Sequence, residues 1–94
     1  MARFLIEVTH RNEPAECVRA AEIFLRTGSH FLTRADWGCK DGEHKAWIIV
    51  DVASKDDAQM IMPPAFHPQT RLVQLNTFTL TQIAELRGHH GPSV

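Results

Sequence analysis

The stretch Ala35-Asp36-Trp37-Gly38-Cys39-Lys40-Asp41-Gly42-Glu43-His44-Lys45-Ala46-Trp47 decides how this chain folds. At its centre, Asp41-Gly42 is the strongest short hairpin signal, because a two-residue turn needs residues that accept left-handed backbone. It predicts two antiparallel strands, Phe31–Cys39 and His44–Val52. With Asp41 and Gly42 as the turn residues, Lys40 faces Glu43, Cys39 faces His44, Trp37 faces Ala46 and Asp36 faces Trp47. The same stretch holds one of 2 cysteines, one of 6 histidines and both tryptophans. A metal clip, a redox site and a plain hairpin are therefore the readings to separate.

Outward from the hairpin the elements are short and regular. Ala2–Thr9 is rich in aromatic and β-branched residues and reads as a first strand. Pro14 suits the first turn of a helix, where its missing N–H costs nothing. In that helix Cys17, Val18, Ala21, Phe24 and Leu25 form the expected apolar face, Ile23 lies among the charged residues, and Gly28 stops the helix. Ser54 with Asp57 caps a brief second helix carrying Ala58, Ile61 and Met62, which Pro63-Pro64 must end. Arg71–Thr77 reads as a fourth strand. Thr79 and Gln82 form a capping box for a last helix that runs to about Gly88, with Phe78 and Ile83 as its hydrophobic staple.

The order is β-α-β-β-α-β plus a terminal helix, which predicts an α+β, ferredoxin-like βαββαβ fold. Its four-stranded antiparallel sheet carries both helices on one face, with strands 1 and 3 central. "FLIEV" and "AWIIVDV" are nearly continuous apolar runs, as in sheets covered on both faces. No spare element is large enough to cover the second face, so the sheet of a second copy is expected there, giving a homodimer.

At this point the chain resembles the dimeric α/β-barrel superfamily, which includes muconolactone isomerase-like proteins, small cofactor-free monooxygenases and YCII-related proteins. Element order and the pattern "FLIEVTH" carry the resemblance over roughly residues 2 to 78. It implies a small-molecule site between the helix-free sheet face and the loops at one end of the barrel, and it brings no catalytic motif.

Strand parity names the residues of that face: Arg34, Asp36, Trp47, Ile49 and Asp51, joined by Leu5, Glu7, Leu72, Gln74 and Asn76. Enclosed charges must be paired, so Glu7, Asp36, Asp51 and Arg34 form either ion pairs that register the dimer or a ligand-binding set. Trp47 beside two carboxylates and an arginine supplies a stacking surface and orienting groups for a small organic ligand. Arg34, Trp47, Asp51 and Asn76 are the ligand-binding candidates. For a cofactor-free proton transfer or isomerisation, Glu7 or Asp36 is the candidate base, since burial and like charge raise a carboxyl pKa. His10 is the candidate partner acid or base.

The alternative is a non-catalytic protein that is either a dimeric binding protein or one that binds zinc or nickel, the metal because Cys39 and His44 are opposed across the hairpin. Two ligands are not a site, and His10, His67, His89 or His90 would have to complete it. Cys17, on the apolar helix face, reads as an inert core thiol.

A chain of 94 residues makes one domain, expected over 1–88 with a loose tail at 89–94. A net charge of −1 offers no basic field for nucleic acid. An RNA-recognition sheet would also need stacking aromatics, and Trp47 stands alone on that face. Two cysteines are too few for a disulfide framework or an iron–sulfur cluster, and no apolar run approaches a membrane span. A reduced, cytoplasmic protein without a cofactor is the expectation.

Overall fold

The structure, a computed structural model, describes residues 1–90. Strand β1 is Ala2–Thr9, helix α1 Pro14–Arg26, β2 Asp36–Trp37, β3 Lys45–Val52, α2 Lys55–Ile61, β4 Thr70–Leu75 and α3 Leu80–His90. The four strands form one antiparallel sheet in the order β2-β3-β1-β4. This α+β architecture is loosely compatible with the ferredoxin-like arrangement, but a plain βαββαβ path is not followed. Three-ten segments replace most of the second strand and precede β4.

Phe4, Ile6 and Val8 of β1 alternate with exposed or half-buried neighbours and pack with Ala46, Ile48 and Val50 of β3. Ala20 and Phe24 of α1, Ala58 of α2, Leu32, Met62 and Phe66 close over that face. The Phe24 ring meets Trp37 with centroids 5.0 Å apart and Phe66 edge-on at 5.5 Å. The capping expectations hold at both later helices. Asp57 N donates to Ser54 Oγ at 3.2 Å, and the Thr79–Gln82 box is closed in both directions at 2.8 and 3.1 Å.

Several expectations are corrected. The expected strand Phe31–Cys39 is a strand only at Asp36–Trp37. The Ser29 hydroxyl accepts from Phe31 N and Leu32 N, and this local bonding starts a three-ten turn over Leu32–Arg34 in place of a ladder. The hairpin tip is a three-ten turn over Cys39–Asp41, not a two-residue turn. Only Gly42 there has a positive φ, at 84°, so Asp41 does not adopt the left-handed backbone that the tighter turn demands. Asp41 N and Glu43 N both donate to Gly38 O, so Lys40–Glu43 and Cys39–His44 are not ladder pairs. The pairs Asp36–Trp47 and Trp37–Ala46 form as expected.

On α1 the buried stripe runs through Ala20 and Phe24, with Ile23 packed against the core, while Val18 and Leu25 are exposed. Cys17 is bonded to Cys39 as a disulfide, so it is neither an inert thiol nor reduced. On β4 the parity is opposite to expectation: Arg71, Val73 and Leu75 stand across from Glu7, Leu5 and Arg3 on the helix-free face, and Leu72 packs against the core. Helix α3 continues to His90, so residues 89 and 90 are helical, and the rest of the expected tail, 91–94, lies outside the described residues. None of the helices among the described residues is long and apolar enough to cross a membrane.

Candidate functional site

His10 follows the last residue of β1, and His44 precedes the first residue of β3. The last ladder pair is Thr9–Lys45, and His10 N donates to His44 O at 3.0 Å, so the two histidines continue the antiparallel register by one step. Strand alternation then sends both side chains to the helix-covered side, beyond Val8 and Ala46. His10 is 6% exposed, the one buried polar or charged residue among the described residues. Its ring lies edge-on to that of His44, with centroids 5.6 Å apart and planes inclined at 76°.

The three-ten turn at the hairpin tip brings Cys39 over the same spot. His10, Cys39 and His44 each place a ligating atom within 4.8 Å of the others. Gly38 makes this possible: a Cβ there would stand 2.8 Å from Glu43 Cβ, from Glu43 O and from Trp47 Cζ3. Contacts that close admit only glycine, and the turn that aims Cys39 inward starts at that residue. From the other side, α1 carries Cys17 to Cys39 with a Cα separation of 6.8 Å.

The polar contacts are unevenly satisfied. His10 Nδ1 donates to the Arg11 carbonyl oxygen at 3.0 Å, which fixes the tautomer because a carbonyl only accepts. In the neutral ring Nε2 then presents a lone pair to Cys39 Sγ, 3.0 Å away. A disulfide sulfur has no proton to offer, so in the oxidised form this contact lacks a proton, and the Cys39 thiol of the reduced form can donate one to Nε2. His44 Nδ1 is buried with no hydrogen-bond partner. A buried nitrogen left this way costs about 1–3 kcal/mol, unless an ion meets it. A histidine whose far nitrogen is anchored on a backbone carbonyl is the usual form of a metal ligand, since the anchor orients the ring.

The helix-free face is arranged differently from expectation. Glu7, with its side chain 12% exposed, meets Lys45 Nζ at 3.0 Å and Arg71 at 3.5 Å. The Lys45 hydrogen bond, against a smaller opposing effect of burial, holds the Glu7 carboxyl below its ordinary pKa, with further help from the charges of Lys45 and Arg71. Its expected elevation as a general base is thereby corrected, because two cations rather than a second carboxylate surround it. Asp51 pairs with Arg3 at 3.6 Å. Asp36 and Arg34 are exposed, and Arg34 lies in a three-ten turn outside the sheet. Trp47 is half-buried over Gly38. His10 faces the opposite side of the sheet, so it cannot serve a base at Glu7.

An open hollow of about 690 Å³ does occur on the helix-free face, lined by Arg3, Ile49, Asp51, Leu75 and Asn76 among others. It lies four residues along β1 from Glu7, roughly 13 Å at about 3.3 Å per residue. Asp51 and Asn76 reach it, whereas Glu7, Asp36, Arg34 and Trp47 do not line it. Of the other histidines considered as ligands, His67 Nε2 donates to Met62 O at 2.8 Å, in the turn before β4.

Comparison with protein-family models finds no matching family, and comparisons with curated proteins and with solved structures find no match.

Proposed function

We propose that the reduced protein binds a transition-metal ion of the zinc or nickel class through His10 Nε2, Cys39 Sγ and a ring nitrogen of His44, without catalysing a reaction. The observation that carries this reading is the convergence of these three donors within 4.8 Å from the end of β1 and from both sides of the hairpin tip. The orphaned His44 Nδ1 and the backbone-anchored His10 ring support it. Mixed imidazole and thiolate donors select zinc over hard cations such as magnesium or calcium. A reducing compartment such as the cytoplasm is where the Cys39 thiolate would persist. The test is metal analysis of untagged protein purified under reductant. About one equivalent of zinc or nickel, lost in His44→Ala, is the expected result, and wild-type protein that takes up none ends the proposal.

The apolar positions of the helix-free face favour a second reading, in which that face meets a second copy. Ile49 is 62% exposed there, beside half-buried Leu5, Val73 and Leu75. This is the homodimer that the resemblance to the dimeric α/β-barrel superfamily implies, and a facing sheet would enclose the hollow at Arg3, Asp51 and Asn76 as a site for a small organic molecule. Sedimentation analysis should then show a dimer that Ile49→Asp converts to a folded monomer. A wild-type monomer at high concentration rejects it.

A further inference from the structure

We infer that the Cys17–Cys39 bond is a redox gate on this metal site: the disulfide is its metal-free state, and reduction supplies Cys17 as the fourth ligand. The inference rests on the proposed metal reading and adds to it a donor and a mode of control. Three features carry it. The cysteine that ligates is the one sequestered in the disulfide. A sulfur in a disulfide has lost the thiolate charge that zinc binds, so bond and metal exclude one another at Cys39. Finally, Cys17 comes from a separate element, α1, and the bond to Cys39 holds its sulfur beside a member of the cluster.

The Cα spacing of the two cysteines suits both states. A Cα separation of 6.8 Å is at the outer end of the range of about 4.4–6.8 Å that disulfides span. Two thiolates on one tetrahedral zinc, each about 2.3 Å from the ion, stand about 3.8 Å apart, against about 2.05 Å in a disulfide. Parting the sulfurs by that amount needs side-chain rotation at a wide Cα spacing, not movement of α1. The resulting set, Cys17, Cys39, His10 and His44, is a closed Cys₂His₂ sphere, the composition of structural and storage zinc sites.

The chemistry balances with a small-molecule disulfide as oxidant. One protein thiolate attacks a sulfur of the oxidant, forms a mixed disulfide and expels one thiolate. The second protein thiolate attacks the bonded cysteine sulfur, closes Cys17–Cys39 and expels the other. Two electrons pass from the protein sulfurs to the oxidant, the two expelled thiolates take up two protons from water, and the zinc ion leaves with its two positive charges. Reduction by a dithiol runs the same steps backwards.

The experiment uses the full chain without a tag, titrated with zinc and with cobalt as a spectroscopic substitute. Reduced protein should bind one ion, with cobalt–thiolate absorption of an intensity proper to two thiolates. Protein oxidised with oxidised glutathione should bind more than about 100-fold more weakly, since loss even of an outer partner costs 10–100-fold. Adding oxidised glutathione to the zinc-loaded protein should release one zinc per two thiols lost, and dithiothreitol should restore binding. Cys17→Ser should retain cobalt with half the thiolate absorption. As a check that needs no variant, zinc should protect both cysteines of the wild type from alkylation. Equal affinity of the oxidised and reduced forms overturns the gate while leaving the metal site standing. Alkylation of Cys17 at the same rate with and without zinc removes it as a ligand. No metal bound by reduced, folded wild type removes the underlying reading instead.

Discussion

His10 and His44 lie directly across from one another, joined through His10 N and His44 O at 3.0 Å, although neither belongs to a strand. The β1–β3 ladder thus delivers two imidazoles as a rigid pair at its open end. Their side chains are not equivalent. His10 is buried with Nδ1 donating to Arg11 O, whereas His44 keeps Nδ1 buried and unpartnered.

That difference predicts unequal effects in metal-free protein. His10→Ala removes a satisfied buried ring and leaves a cavity beside Val8 and Trp37, and should cost about 1–3 kcal/mol. His44→Ala removes a buried nitrogen that has no partner, and should be near neutral. With zinc present both variants should fall below the wild type, because each loses a ligand. Urea denaturation of reduced protein, with chelator and then with zinc, separates the two effects. Equal losses in chelator would contradict the difference seen between the rings.

The tip of the hairpin offers a paired glycine test. Gly38→Ala would put a Cβ 2.8 Å from both Glu43 and the Trp47 ring. One of these contacts is with backbone, so the turn must shift, at about 1–3 kcal/mol, and Cys39 must shift with it. At Gly42, φ is +84° and nothing lies within 4 Å of an added Cβ, so Gly42→Ala should cost only the left-handed penalty of about 1–2 kcal/mol. Metal affinity of the reduced protein should therefore fall in the Gly38 variant and hold in the Gly42 variant. Similar affinities in both would mean that the turn does not position Cys39.

Much of this site was legible in the strand alternation, His10 one step beyond the expected first strand and His44 at the first residue of the expected third. Phe4, Ile6 and Val8 alternate toward the core, and the next residue of that parity is His10. The matching run Val50, Ile48, Ala46 ends at His44. Cys17 was harder to place because Val18 and Leu25 draw the apolar stripe of α1 to one side, while packing selects Ala20 and Phe24. Leu72 and Val73 are adjacent and both apolar, so alternation alone could not choose which of them faces the helices. The short β2 follows from a hydroxyl, Ser29, that competes locally for two backbone donors, a contact no periodicity reports.

Phe24 ties the site to the core. Its ring is almost fully buried and contacts both Trp37, which neighbours His10 at 6.1 Å between centroids, and Phe66. Phe24→Ala should destabilise by about 3–5 kcal/mol, the range for deleting a buried aromatic ring. Phe24→Leu retains most of the volume and should cost roughly half as much or less. Thermal or urea unfolding measures both, and a small loss in Phe24→Ala would show that the aromatic cluster is not the centre of packing.

Glu7 sets how the sheet responds to acid. Its carboxyl is held below the ordinary value, mainly by the hydrogen bond from Lys45. The unfolded chain therefore takes up a proton at higher pH than the folded one, and stability rises with pH between the two values. The contribution is fully present above the unfolded glutamate pKa of about 4.3 and is lost as pH falls through the lower folded value. Lys45 and Arg71 are partly open to water, with side chains 37% and 76% exposed, so the effect belongs to the range of about 0.2–1 kcal/mol for exposed pairs. In Glu7→Gln the urea midpoint should be lower than wild type at pH 6, and the difference should shrink toward pH 3. Salt should narrow the gap at pH 6 as well, since part of the attraction is screened. A gap that stays constant from pH 6 to pH 3 would locate the effect in packing and not in the charge of Glu7.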